Sequence, residues 1–114
     1  MEKNMLGAIA GDIIGSMYEI SNIKTKDFPL LNPNSIFTDD SVLTVAVADK
    51  LLNGGSYEEN FKSYYHRYSA RGYGKNFHRW AKGEIVGAYN SFGNGSAMRV
   101  SSIAYESSRT YVWF

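Results

Sequence analysis

The sequence contains no cysteine, which excludes a disulfide framework, a thiolate nucleophile and any zinc or iron–sulfur site built on sulfur. Histidine is scarce as well. His66 and His78 stand twelve apart with no partners at metal-ligand spacing, and neither is assigned a role. Charge of one sign is missing too: 12 Lys plus Arg against 11 Asp plus Glu leave +1. Such a balance gives no global field for gripping nucleic acid or an anionic membrane. Long apolar runs are absent. Met5–Ala10 is the nearest to one, and it is cut by Asp12, so neither a signal peptide nor a bilayer span is expected. A cytoplasmic location is the expectation that follows.

What is present describes a globular chain. Its 114 residues are one domain's worth, 44% hydrophobic and 20% charged, with nine Tyr, six Phe and two Trp. These proportions argue against disorder and support a packed core. The expected fold is all-α. A first helix is read over Met5–Ile20, with Gly7, Gly11 and Gly15 on one face, where a close contact with another segment is expected. Ser21–Ile36 holds both prolines, with Asn32 and Asn34, and reads as a loop. Thr38 is a good N-cap for a second helix ending near Leu52, before Asn53-Gly54-Gly55. Ser56 and Glu59 form a capping-box pattern opening a third helix over Tyr57–Tyr68. A short helix over Asn76–Lys82 and a last one from Ser96 to Tyr105 complete the reading. The first two helices are apolar on nearly every face, as in helices enclosed by a larger fold.

Three groups of residues could carry chemistry. Thr38-Asp39-Asp40-Ser41 places two carboxylates and two hydroxyls at a helix start. Acids there complement the helix dipole; equally, clustered hard oxygens suit divalent cations. Asp12 and Glu19 lie seven apart on one face of the first helix. A structural hydrogen bond to a loop is the preferred reading for Asp12, whereas Glu19 could reach a site shared with Asp39 and Asp40. Gly93-Asn94-Gly95-Ser96 leads into the last helix. It is either an ordinary loop or a phosphate cradle in which glycines admit the ligand and Arg99 adds a charged contact.

Several ordered stretches carry a resemblance: Gly7-Ala8-Ile9-Ala10-Gly11-Asp12-Ile13-Ile14-Gly15-Ser16-Met17-Tyr18-Glu19, Phe37-Thr38-Asp39-Asp40-Ser41, Gly72-Tyr73-Gly74 with Phe77-His78-Arg79-Trp80, and Tyr89 through Val100. Together they resemble the ADP-ribosylglycohydrolase family, which includes the dinitrogenase-reductase-activating enzymes. The resemblance implies an all-α fold with two Mg²⁺ or Mn²⁺ ions in a central cleft. It also implies hydrolysis of the bond between ADP-ribose and a modified protein or small acceptor. By that likeness Thr38, Asp39 and Asp40 are metal ligands, and Glu19, Asp39 and Asp40 form the catalytic acid set. Gly93, Asn94, Gly95 and Ser96 hold part of the ADP-ribose. The family's C-terminal Asp-x-Asp-Thr segment does not occur here, and the residues after Tyr105 do not resemble its continuation. The expectation is therefore a truncated N-terminal portion over 1–105 with a divergent tail over 106–114. Half the metal site would be missing, turnover would be weak or absent, and exposed apolar faces could drive self-association.

Overall fold

The structure, a computed structural model, describes the backbone of residues 2–111 and the side chains of residues 5–106. Among these residues it contains helices and no strands, so the all-α expectation holds. The helices are α1 (Glu2–Gly15), α2 (Asp39–Asn53), α3 (Tyr57–Arg67), α4 (Lys75–Ala81), α5 (Gly95–Met98) and α6 (Ser101–Tyr111).

Helix α2 is the centre. It packs against α1, α3, α6 and the single turn of α5. Both ends follow from local chemistry. Thr38 is extended and accepts the Asp40 N–H on its hydroxyl (3.2 Å), while Gly54, at φ +82°, returns its N–H to the Lys50 carbonyl. A side chain is strained at that φ, which is why the chain has glycine there. Val42, Leu43, Ala46, Val47 and Ala48 are all buried, so the apolar circumference of α2 is spent on neighbours.

On one flank Leu43 joins Tyr65, Phe77 and Ala81 in a core to which Phe61, Tyr73, Trp80, Tyr89 and Met98 add their apolar surfaces. Tyr73 stacks on Phe77, and Tyr65 meets Tyr73 edge-on. Phe61 and Tyr65 of α3 and Phe77 and Trp80 of α4 thus serve as core. His78, to which the sequence assigned no role, is half-buried and shares a 2.6 Å hydrogen bond with the hydroxyl of the fully buried Tyr65. A phenol that leaves water needs such a partner.

Three expectations require correction. The first helix ends at Gly15 and continues as a 3₁₀ turn over Ser16–Tyr18. The Ser16 hydroxyl donates to the Ile13 carbonyl (2.8 Å) and accepts the Ile36 N–H (3.1 Å), which tightens the turn and ties down the loop. The last helix is two helices. The helix is interrupted at Arg99 and Val100, and the Arg99 side chain folds back onto the Gly95 carbonyl. The glycine face of α1 makes no close contact among the described residues: a Cβ on Gly7, Gly11 or Gly15 would meet none of their atoms within 4 Å. Ile9 and Ile13, which face Val42 and Val45 of α2, lie half a turn around α1 from those glycines.

The boundary expected after Tyr105 falls inside α6, which continues to Tyr111. The side chains of that tail from residue 107 onward, and its last residues, 112–114, lie outside the described residues. No helix among the described residues is long and apolar enough to cross a membrane.

Candidate functional site

Asp12 is the hinge between α1 and the start of α2. Its Oδ2 accepts the Thr38 N–H (2.8 Å), the Ser41 N–H (3.2 Å) and the Ser41 hydroxyl (2.5 Å), and its Oδ1 accepts the Thr38 hydroxyl. A buried carboxylate on an apolar helix is tolerated because four donors meet it. The preferred sequence reading for Asp12, a structural hydrogen bond to a loop, is what the fold shows. The partners are the loop's last residue and the first turn of α2.

The same anchor sets the carboxylates of α2. Asp39 donates its N–H to the Arg71 carbonyl (2.8 Å), and the Arg71 guanidinium lies 3.8 Å above the Phe37 ring. Gly72, at φ +89°, then carries the chain past Asp39. Asp40 projects toward Glu19, which ends the 3₁₀ turn. One carboxylate oxygen from each of Asp12, Glu19 and Asp40 falls within a group spanning at most 4.8 Å.

Acids this close disturb one another. Burial, then Asp40, pushes the Asp39 carboxyl up to about 6. Asp40 is raised by burial and by Asp12, partly offset by Arg99. Glu19 is raised by burial, then by Asp40 and Asp12. The cluster holds more negative charge than the surrounding protein compensates, and a hard cation is what such an oxygen set accommodates. The donors differ in availability. Asp12 is committed to the α2 N-terminus, and the Thr38 hydroxyl both donates to Asp12 and accepts from Asp40, leaving one lone pair. Glu19, Asp39 and Asp40 are the freer ligands.

Asp39 and Asp40 form one end of a cleft of about 450 Å³, within the size range of small-molecule sites. Its other walls are the Gly74–Phe77 stretch, Tyr89, Ser91, the loop Gly93-Asn94-Gly95, Met98 and Arg99. The tetrad and the glycine loop, more than fifty residues apart in the chain, therefore face one cavity.

Residues 3–111 match the sequence profile of the ADP-ribosylglycohydrolase family. The chain belongs to the ADP-ribosylglycohydrolase family. A curated relative, the ADP-ribosylhydrolase ARH3 of Xenopus tropicalis, is 29% identical over 89% of this chain. The chain spans 37% of that relative's length. No solved structure matches.

The placement of this family member's expected site residues is uneven. Asp39, Asp40, Gly93, Asn94 and Gly95 line the cleft, and Glu19 reaches the acidic group beside it. Thr38 is buried behind them as the cap. Ser96 is exposed in α5 and is not among the lining residues. Gly95 also departs from its sequence reading. A Cβ there would run into the Arg99 guanidinium, so this glycine makes room for a side chain of the protein itself. Sequence reasoning missed Lys75, Tyr89 and Ser91 as cleft residues. They sit in irregular segments or at a helix start, where periodicity carries no signal; only their closeness in sequence to the two glycine stretches hinted at them.

Proposed function

We propose that this chain binds ADP-ribose in the cleft and takes part in the metal-dependent hydrolysis of the bond joining ADP-ribose to a modified protein or small acceptor. The observation that carries this reading is the shared cleft: paired carboxylates of α2 and the glycine loop before α5 line one cavity of ligand size. In the reaction, water adds to the anomeric carbon of the ribose as the bond to the acceptor breaks, and the acceptor leaves with a proton.

Glu19, Asp39 and Asp40, with the remaining lone pair of Thr38, would hold Mg²⁺ or Mn²⁺, one ion or the family's pair. Bound cations supply charge to fix ribose hydroxyls and to acidify a water. The protein's own residues account for the rest. Asp12 keeps the α2 turn rigid, so the carboxylates meet substrate without rearranging. Asp39 and Asp40 stand at the cleft end, where a carboxylate oxygen not engaged by the cation can accept a proton from water. Gly93 and Asn94 leave backbone room beside the sugar–phosphate portion. The cytoplasmic location and the weakness of turnover by this chain alone belong to the same proposal.

Binding without hydrolysis is the second reading, favoured by the commitment of Asp12 and Thr38 to structural bonds. Thermal unfolding with and without ADP-ribose plus Mg²⁺ tests the first step. Ligand at a hundredfold excess over its Kd should stabilise the fold by about 2.7 kcal/mol, and Asp40→Asn should abolish the cation-dependent part. An unchanged transition sinks both readings. A shift with no release of ADP-ribose from a modified protein selects the second.

A further inference from the structure

The carboxylates and glycine loop leave the two cationic residues of the cleft unexplained. Lys75, the first residue of α4, and Arg99, the residue after α5, both line the cavity. The ion pairs among the described residues are Lys62–Glu58 and Arg79–Glu84; neither cleft cation forms one. Arg99 is nonetheless fixed in place. Its guanidinium lies 5.0 Å from the Phe61 ring and 5.5 Å from the Phe77 ring, and its Nε donates to the Gly95 carbonyl at 2.6 Å. Gly95 has no side chain at the point where the Nη2 end passes. The aromatic faces and the Gly95 carbonyl together immobilise the planar fork, while its Nη donors have no hydrogen-bond acceptor among the described residues. Lys75 is exposed at the rim and has no ion-pair partner among the described residues.

A half-buried guanidinium with idle donors is costly unless something anionic uses them. The aspartates of the cleft do not: neither lies within ion-pair distance of Arg99. From this geometry we infer that Arg99 and Lys75 form a cationic wall that grips the diphosphate of the ligand, Arg99 as a preset fork and Lys75 as a movable point charge. The inference rests on the ADP-ribose reading and assigns the anion's charge partners to these two side chains. The cleft is thereby polar along its length: the carboxylates that would hold a cation stand at one end, and the side chains of Arg99 and Lys75 meet the diphosphate. Gly95 gains a reason distinct from ligand clearance, because Ala at this position would displace the fork.

The test is titration calorimetry of the full chain with three probes: ADP-ribose with Mg²⁺, adenosine, and inorganic pyrophosphate without Mg²⁺. Lys75→Gln and Arg99→Gln should each weaken ADP-ribose and pyrophosphate about tenfold, and adenosine should be unaffected. Arg99→Lys should recover only part of the loss, because the charge returns without the fork. Lys75→Gln alters an exposed side chain and should melt like the parent, so its binding loss is not a folding effect. Equal affinities in parent and Lys75→Gln and Arg99→Lys, or an equal loss of adenosine, would overturn the wall. Parent chain that binds pyrophosphate through these residues but not ADP-ribose would keep the wall and overturn the proposed function. Failure to bind either anion would overturn both.

Discussion

Helices α1 and α2 look alike in sequence, each apolar on nearly every face and each carrying acid, yet the fold treats them differently. Helix α2 is enclosed over residues 41–48, with Leu43 and Ala46 wholly buried, and opens to solvent only near its end, at Leu52. Helix α1 packs against α2 and α6 but is less fully covered. Ile9 and Ile13 face α2, while Leu6 is 65% exposed and a Cβ on any glycine of the row would meet no described atom within 4 Å. Hydrophobicity that is uniform around a helix cannot choose its rotation. The choice falls to the polar group with the most demanding partners, and on α1 that group is Asp12.

The largest effect should therefore come from that anchor. Asp12→Ala strands the Thr38 and Ser41 amides and both hydroxyls in a buried place. A loss of about 4 kcal/mol is expected, well above that of an ordinary N-cap. Urea unfolding of the variant measures it. A cost below about 1 kcal/mol would mean that α1 is oriented by its apolar residues after all.

Next comes the contrast in cover itself. Leu43→Ala should cost about 3 kcal/mol, because a fully buried leucine loses its transfer energy and leaves a cavity. Leu6→Ala should fall within about 0.5 kcal/mol of the parent. Similar losses for the two would show that α1 is covered in solution.

A smaller effect separates the anchored acid from the functional ones. The folded-state pKa of Asp39, about 6, stands above its ordinary 3.8. Between these values the folded chain keeps a proton that the unfolded chain releases, so stability falls as pH rises through that window. The loss persists above 6 and vanishes below 3.8. Asp39→Asn should accordingly raise the Tm above pH 6, with no gain at the acid end, while Mg²⁺ ceases to stabilise the variant. Melting curves across the window check the sign. A variant less stable than its parent at neutral pH would remove the picture of an overcharged site awaiting a cation.

How much of this was readable beforehand follows the same division. Thr38 and Ser56 as caps, Gly54 as a stop, and the aromatic core were legible, since each rests on a residue acting within a few positions of itself. The meeting of Glu19 with Asp40 was legible too, from helical spacing and the position of both at element ends. The roles of Gly95 and the rotation of α1 were not. Both depend on what a distant or folded-back side chain occupies, and a glycine spells the same whether a ligand, a helix or an arginine claims its space. The split at Arg99 was hidden for a related reason, because no proline or glycine marks it.

The outer face of α1 gives the smallest prediction and bears most directly on that ambiguity. Gly11 is a mid-helix glycine whose added Cβ would touch no described atom within 4 Å. Glycine there costs conformational entropy with no compensating contact, so Gly11→Ala should stabilise the chain by about 1 kcal/mol. The gain should be the same at low and high protein concentration. A gain at low concentration that turns into a loss at high concentration would show that a second copy of the chain closes on this face, where a methyl group would hold the two helices apart. Leu6 and the glycine row would then form a buried contact, and the difference between α1 and α2 would belong to the isolated chain alone.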